Sequence, residues 1–251
     1  MRVVTWNIAG GRKTRSLKHF DYSNEDLEYF ASQLKNLRPA VVCLQEAHTS
    51  QSESSAGRIA GLLNLPHVYN SPASPSHIEK SSLLGNAIIS SLPFQKRADF
   101  FFPPPRFELK WKNGKPAERH NKLVQLVKIG QWNIANTQLL PIDLFGYYYD
   151  LSAGRKYAAE IENILLNLTE PCVLCGDFSG AFKKQPVEKV FNALFTKLDL
   201  KDSLPNEITR PTKQGWYKTD HIYFSPQLSV TKSGIVKTAT DHYLCYTDIA
   251  E

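Results

Sequence analysis

The sequence predicts an α/β protein in which two mixed β-sheets pack face to face with helices on the outside. Two observations carry this expectation. Apolar runs joined by tight turns alternate with amphipathic segments placed between them. Four short polar islands, Thr5-Trp6-Asn7, Leu44-Gln45-Glu46, Gly176-Asp177-Phe178 and Asp241-His242, ride on the ends of apolar runs spread over the chain. Such islands converge only if their strands lie side by side, so residues 1–251 are expected to form a single domain. Periodicity alone leaves a doubly wound α/β sheet open.

The elements follow in order. Val3 to Ile8 alternates and is β-branched, which predicts a strand ended by Gly10-Gly11. Ser23-Asn24-Glu25-Asp26 offers an N-cap for a helix whose apolar face is Leu27, Phe30, Leu34 and Leu37, stopping before Pro39. Ala40 to Leu44 is an unbroken apolar run, as in a buried strand, and a second helix spans 54–63. Leu83 to Ser90 is a strand, with Ala98 to Phe102 expected to return beside it. Asn113-Gly114 marks a turn, and Leu123 to Ile129 pairs with Trp132 to Leu139 across Gly130-Gln131. A loop with Tyr147-Tyr148-Tyr149 precedes a helix from Ala153 to Leu168, and Cys172 to Cys175 is a buried strand. Val187 to Phe195 reads as one helix, and strands are expected at 221–224, 228–236 and 242–247.

Composition narrows the class. Hydrophobic residues make up 42% of the chain, yet no apolar stretch approaches the roughly 18 residues that span a bilayer. The start lacks the pattern of a secretory signal, so a soluble, cytoplasmic protein is expected, and a monomer. Cys43, Cys172, Cys175 and Cys245 sit inside apolar runs. Cys172 and Cys175 have a C-x-x-C spacing, but on a strand they point to opposite faces, which favours structural thiols over a metal pair. The net charge of +6 favours an anionic partner. Much of it lies in Arg12, Lys13, Arg15 and Lys18 and in Lys110, Lys112, Lys115, Arg119 and Lys122.

The polar islands supply the chemistry. Glu46, Asp177, Asp220 and Asp241 each stand at the polar end of an apolar run, where an isolated acid is costly. Two carboxylates about 4 Å apart repel by about 4 kcal/mol at an effective dielectric near 20, so four together need compensation. A hard divalent cation such as Mg²⁺ or Mn²⁺ supplies it, and oxygen donors with no cysteine nearby favour those ions over zinc.

Seven segments in order now carry a family likeness: Thr5-Trp6-Asn7-Ile8, Leu44-Gln45-Glu46, Gly85-Asn86-Ala87-Ile88-Ile89-Ser90, Asn136-Thr137-Gln138-Leu139, Gly176-Asp177-Phe178-Ser179, Thr219-Asp220-His221-Ile222 and Thr240-Asp241-His242. The chain resembles the endonuclease/exonuclease/phosphatase superfamily of DNase I-like phosphoesterases along nearly its whole length. The resemblance implies a four-layer α/β sandwich. It implies that Glu46 holds the metal with Asn7 and Asp241, and that Asp177 orients the attacking water. It also implies that His242, paired with Asp220, acts on the scissile phosphate. Two positions depart from the pattern. Gln138 stands where the family usually has His, and Ser179 where it commonly has Asn, so both are neutral hydrogen-bonding substitutes.

The expected function is a Mg²⁺-dependent phosphodiesterase acting on nucleic acid, with Lys13, Arg15 and Arg119 tracking phosphates. The alternatives are the same chemistry on a lipid head group or another small phosphoester, or a weakened, non-catalytic binding member.

Overall fold

In the computed structural model of the chain, which describes all residues except 17–20, 112, 180, 181, 214 and 251, the apolar alternation becomes two six-stranded sheets. Lys18 and Lys112 therefore lie outside the described residues. With strands numbered in chain order, the first sheet contains β1 (Arg2–Asn7), β4 (Val41–Thr49), β5 (His67–Pro75), β6 (Leu83–Ser90), β15 (Ser229–Val236) and β16 (Leu244–Ala250). Their order across the sheet is β15-β16-β1-β4-β6-β5. The second sheet contains β7 (Lys96–Phe101), β8 (Leu123–Ile129), β9 (Trp132–Gln138), β10 (Cys172–Asp177), β11 (Lys201–Asp202) and β14 (Asp220–Phe224), in the order β11-β14-β10-β9-β8-β7. Two short ribbons, β2 (Arg12–Thr14) with β3 (Tyr22–Glu25) and β12 (Arg210–Thr212) with β13 (Gly215–Tyr217), stand outside the sheets.

Burial sorts the apolar residues into three clusters between four layers. Val3, Val41, Cys43 and Ile88 of the first sheet meet Val127, Ile134, Cys175 and Ile222 of the second. The other face of the first sheet, including Val4, Trp6, Val42 and Leu44, is covered by α1 (Leu27–Leu37) and α2 (Ser55–Leu63). The outer face of the second sheet packs against α3 (Ser152–Leu165), α4 (Val187–Val190) and α5 (Asn192–Leu198). Cys172 belongs to this outer cluster and Cys175 to the inter-sheet core, so the pleat separates the two thiols as the spacing requires. The helix starts follow local chemistry. Asp26 accepts from Tyr29 N at 3.0 Å, and Ser54 accepts from Gly57 N at 3.0 Å.

Both sheets are organised around one parallel pair. β1 runs parallel to β4, with Asn7 opposite Gln45, and β10 runs parallel to β9, with Asp177 opposite Gln138. β14 lies antiparallel to β10 and brings Asp220 opposite Asp177. The carboxyl ends of the parallel strands thus gather polar side chains from both sheets at one edge, where open α/β sheets place ligands.

At that edge the inter-sheet core turns polar. Asn136 of β9 donates to Leu44 O at 2.9 Å and Ala87 O at 3.1 Å, and accepts from Gln45 Nε2 at 2.7 Å. Gln45 Nε2 also donates to Thr5 Oγ1 at 2.9 Å, and Asn86 donates to Asn136 O at 3.2 Å and Leu123 O at 3.3 Å. Asn136 and Gln45 have no measurable exposure, so these bonds replace water that cannot enter. Gln45, Asn86 and Asn136 of the motif segments therefore tie the sheets together.

The structure corrects three sequence expectations. The strand near Ala98–Phe102 does not return beside Leu83–Ser90. It is β7, pairs with β8 and lies in the second sheet. The place beside β6 is taken by β5, whose strand pattern is hidden by Pro72, Pro75 and several polar residues. The expected helix Val187–Phe195 is two short helices broken at Phe191, whose buried ring packs against Tyr149 and Phe182. The last strand begins at Leu244 rather than His242, because residues 240–242 are turned towards Trp6, whose indole donates to His242 O at 3.0 Å. Among the described residues no helix is long and apolar enough to cross a membrane.

The polar lock predicts a stability effect far larger than its side-chain size suggests. Asn136→Ala strands donors and acceptors from both sheets and is expected to cost about 3 kcal/mol in urea unfolding. A loss below about 0.5 kcal/mol would show that the sheets do not depend on it.

Candidate active site

Glu46 owes its position to a bulge. The pairing of β4 with β6 shifts register between Leu44 and Ala47, so β4 carries one extra residue there. Glu46 takes a left-handed conformation, φ 53°, which glycine adopts freely and other residues adopt at a cost of about 1–3 kcal/mol. Gly10 N donates to Glu46 O at 2.8 Å, holding this turn against the end of β1.

Asp177 ends β10 at the opposite side of the site. Gly176 precedes it because a Cβ there would lie 2.2 Å from Thr137 O, so only glycine permits this approach of β10 to β9. The amides at the strand ends bridge the two acids. Asn7 Nδ2 donates to Glu46 Oε1 at 3.1 Å and Asp177 Oδ2 at 2.9 Å. Gln138 Nε2 donates to Glu46 Oε1 at 2.7 Å and Asp177 Oδ2 at 3.2 Å. The other oxygen of Asp177 accepts from Ser179 N at 2.8 Å and from Ser179 Oγ.

A cation stands behind each of the two positions that depart from the family pattern. Lys122 Nζ donates to Gln138 Oε1, which fixes the amide with its NH₂ towards the acids. Arg210 Nη1 donates to Ser179 Oγ at 3.1 Å, and its Nη2 lies 3.6 Å from Asp241 Oδ2. Burial lowers the pKa of Lys122, while Glu46 and Asp177 oppose that shift. Arg210 is held in its charged form by Asp241, Asp177 and Asp220 against the cost of its burial.

His242 completes the floor. Its Nδ1 lies 2.9 Å from Asp220 Oδ2 and 3.0 Å from Oδ1, and its Nε2 is 3.9 Å from Asp177 Oδ2. Thr219 Oγ1 donates to Asp220 Oδ2 at 2.8 Å, orienting that carboxylate. Burial pulls the imidazole pKa down, but Asp220 and Asp177 outweigh it and raise it to about 9, so His242 is a cation at neutral pH. Burial would raise the pKa of Glu46. Facing charge from His77 and Lys122 and the bonds from Gln138 and Asn7 hold it at about 2. Asp177 is likewise kept ionised, despite burial, by His242, Arg210, Ser179 and Asn7.

The donor set fits a hard divalent cation. Asp241 Oδ1 is buried without a hydrogen-bond partner, and the acids around it offer oxygen only. Tyr22 faces both Asp241 and Glu46, and burial together with these charges raises its pKa, so it stays neutral and can donate a hydrogen bond to them. Asp177, Asp220 and His242 also lie close enough to share one ion. Glu188, Asp202 and His221 form a second close group, but Lys218 Nζ already bonds Asp202 Oδ2 beside His221 Nδ1.

Asn7, Glu46, Gln138, Asp177, Ser179, Asp220, Asp241 and His242 are thus brought into one connected network. The expected substrate-binding cations are placed elsewhere. Lys13 Nζ is 2.5 Å from Asp26 Oδ2 and lies over the Tyr29 ring, and exposed Arg15 and Arg119 are not among the residues lining the cleft above the floor. Lys122 and Arg210 stand in the cleft instead. Lys122 was visible in the sequence as the basic residue abutting the Leu123–Ile129 run, whereas Arg210 lies in a stretch with no periodicity to flag it.

The pKa of His242 can be measured directly. In EDTA-treated protein its ring nitrogens are expected to titrate near pH 9 by NMR, and Asp220→Asn should lower that midpoint. Because the folded value is raised, the stability from this pair is fully present below about pH 6.5 and is lost as pH rises through about 9. A neutral ring at pH 7 would contradict this electrostatic account.

Comparison with known proteins agrees with the geometry. The model of the Endonuclease/Exonuclease/phosphatase family matches residues 4–242. Among solved structures, an endonuclease/exonuclease/phosphatase from Beutenbergia cavernae DSM 12333 superposes with TM-score 0.72 at 18% identity, covering 99% of this chain and 71% of the other. The human Nocturnin catalytic domain with bound sulfate anion gives TM-score 0.66 at 18% identity, covering 100% and 93%. An AP endonuclease from Archaeoglobus fulgidus gives 0.61 at 16% identity, covering 99% and 98%. No curated protein matches the chain in sequence. With two packed mixed sheets flanked by helices and a family match over nearly its full length, the chain belongs to the endonuclease/exonuclease/phosphatase family.

Proposed function

We propose that the protein is a divalent-metal-dependent phosphodiesterase that hydrolyses nucleic acid. The observation that carries this reading is the setting of the acidic floor. It lies in a cleft of about 1320 Å³, with Lys122, Arg210 and protonated His242 facing it. Small-molecule sites usually enclose about 300–1,000 Å³, so a sugar phosphate or head group would leave much of this cleft unfilled. A polyanion extending from the floor would fill it.

Glu46 and Asp241, with Asn7 beside them, would hold the divalent ion, which offsets charge on the phosphoryl oxygens when bound. The remaining work falls to the side chains. Ionised Asp177 accepts a hydrogen bond from the attacking water and orients it towards phosphorus. Among the described residues the four hydrogen bonds to its carboxylate come from Asn7, Gln138 and Ser179, so one donor turns to the phosphate as water enters. His242, held by Asp220, presents its protonated Nε2 to a phosphoryl oxygen where charge develops. Lys122 supplies the positive charge that neutral Gln138 lacks, and Arg210 adds a cationic donor beside Ser179. Water adds to phosphorus, the P–O ester bond breaks, and the leaving oxygen takes up a proton, giving a phosphomonoester and an alcohol.

A cleavage panel tests the reading. Oligonucleotides are expected to be cut in Mg²⁺ or Mn²⁺ and left intact in EDTA or by Glu46→Ala. Lys122→Met should slow cutting by roughly 10²- to 10³-fold, the usual cost of one transition-state donor. Turnover of a sugar phosphate with oligonucleotides untouched would move the assignment to a small phosphoester. Inertness towards every substrate would leave a binding protein.

A further inference from the structure

The cleft continues from the acidic floor onto an aromatic wall that the hydrolytic step does not use. Trp111, 38% exposed, sits on a turn in which its N–H donates to Lys115 O at 2.9 Å and its carbonyl accepts from Gly114 N at 2.8 Å. Its ring meets Phe145 edge-on, with centroids 5.2 Å apart. Phe145 closes the 3₁₀ turn Ile142–Phe145 that follows the Gln138 strand end.

The three consecutive tyrosines divide their work. Tyr147 stacks on Phe107 at 4.0 Å, and Tyr149 is buried with its hydroxyl donating to Leu140 O at 3.0 Å. Tyr148 is the one that lines the cleft, with Lys183 Nζ 5.2 Å from its ring centroid. The loop is held before any ligand arrives. Asp150 accepts from Lys183 N and Gln185 N, each at 3.0 Å, and α3 approaches so closely that a Cβ on Gly154 would lie 2.0 Å from Tyr148 O. Fixed aromatic rings lose little freedom on binding. Asp143, whose Oδ1 is buried without a hydrogen-bond partner, lines the same wall and lies near enough to feel the charges of Arg210 and Asp177.

We propose that this wall is a nucleobase subsite, in which Trp111, Phe145 and Tyr148 receive an unpaired base of the nucleotide whose phosphate lies over Glu46 and Asp177. The inference rests on the nucleic-acid reading of the site and narrows it. Every base has a flat face that stacks on aromatic rings, and the Lys183 ammonium adds positive charge for the adjoining backbone. A base inside a duplex has both faces covered, so the wall selects single strands or frayed ends.

Binding without turnover separates this inference from the catalytic one. A fluorescently labelled single-stranded DNA and the same strand with its bases removed, leaving abasic tetrahydrofuran residues, are titrated by anisotropy in EDTA. The base-bearing strand is expected to bind roughly 5- to 100-fold more tightly. Trp111→Ala should erase that difference, and Trp111→Phe should keep most of it. Base-dependent binding without cleavage in Mg²⁺ would uphold the subsite and sink the hydrolytic reading. Equal affinity for the two strands, or an equal loss on both in Trp111→Ala, would overturn the subsite. So would Trp111-dependent binding of a blunt duplex, or of sphingomyelin vesicles, at the affinity of the single strand.

Discussion

The site depends on two sheets being locked in register at the edge where their parallel strands end. Glu46 belongs to one sheet and Asp177 to the other, and neither side chain can reach across unless the sheets hold their spacing. Apolar contacts fill the middle of the sandwich but are non-directional, so they set closeness and not register. Directional bonds set register, among them those of Asn136, Gln45 and Asn86, whose donors and acceptors have no water to turn to. A slip of one residue would break them all and reverse the faces of the strands. The strained backbone of Glu46 is tolerated because this surrounding leaves it no other conformation.

Charge balance explains how the site can differ from its family's usual pattern. Neutral Gln138 and Ser179 take positions where stronger or longer donors are common, yet each is bonded to a partly buried cation. Positive charge stands one residue outward, on Lys122 behind Gln138 and on Arg210 behind Ser179. The cost of burying Lys122 is set against Glu46 and Asp177, and these acids in turn stay ionised because cations and amides face them. Acids and bases here stabilise one another's charged forms, which keeps a crowded acidic floor ready for a cation.

Much of this was legible in the sequence because the functional residues terminate elements with strong periodicity. Val3–Ile8, Val41–Leu44 and Cys172–Cys175 are apolar runs, and a polar residue at the end of each stands out. The ordering of motifs then supplied the sandwich. What the sequence hid has physical causes. The prolines and polar residues of β5 mask the pattern of an edge strand. The bulge at Glu46 has no glycine to announce it, since the αL position is filled by the functional acid itself. Arg210 and Trp111 reach the cleft from ribbons and turns, whose placement depends on tertiary contacts and not on local pattern. Arg15 and Arg119 are exposed and stand outside the cleft, while Lys122, from the same basic stretch as Arg119, faces the floor together with Arg210, so charge density along the chain does not tell which cation reaches the site. The tyrosine triplet looks uniform along the chain, and only packing separates one buried ring, one stacked ring and one cleft-facing ring.

The central claim is that Glu46 and Asp241 hold a divalent ion where the two sheets meet, with Asp177 of the second sheet facing it. The most direct measurement is an anomalous difference map from crystals grown with Mn²⁺. The account predicts a peak roughly 2.0–2.3 Å from a Glu46 carboxylate oxygen, on the side facing Asp241 and within the enclosure formed with Asp177 and His242. A peak confined to the Glu188, Asp202 and His221 group, or none at saturating Mn²⁺, would contradict it.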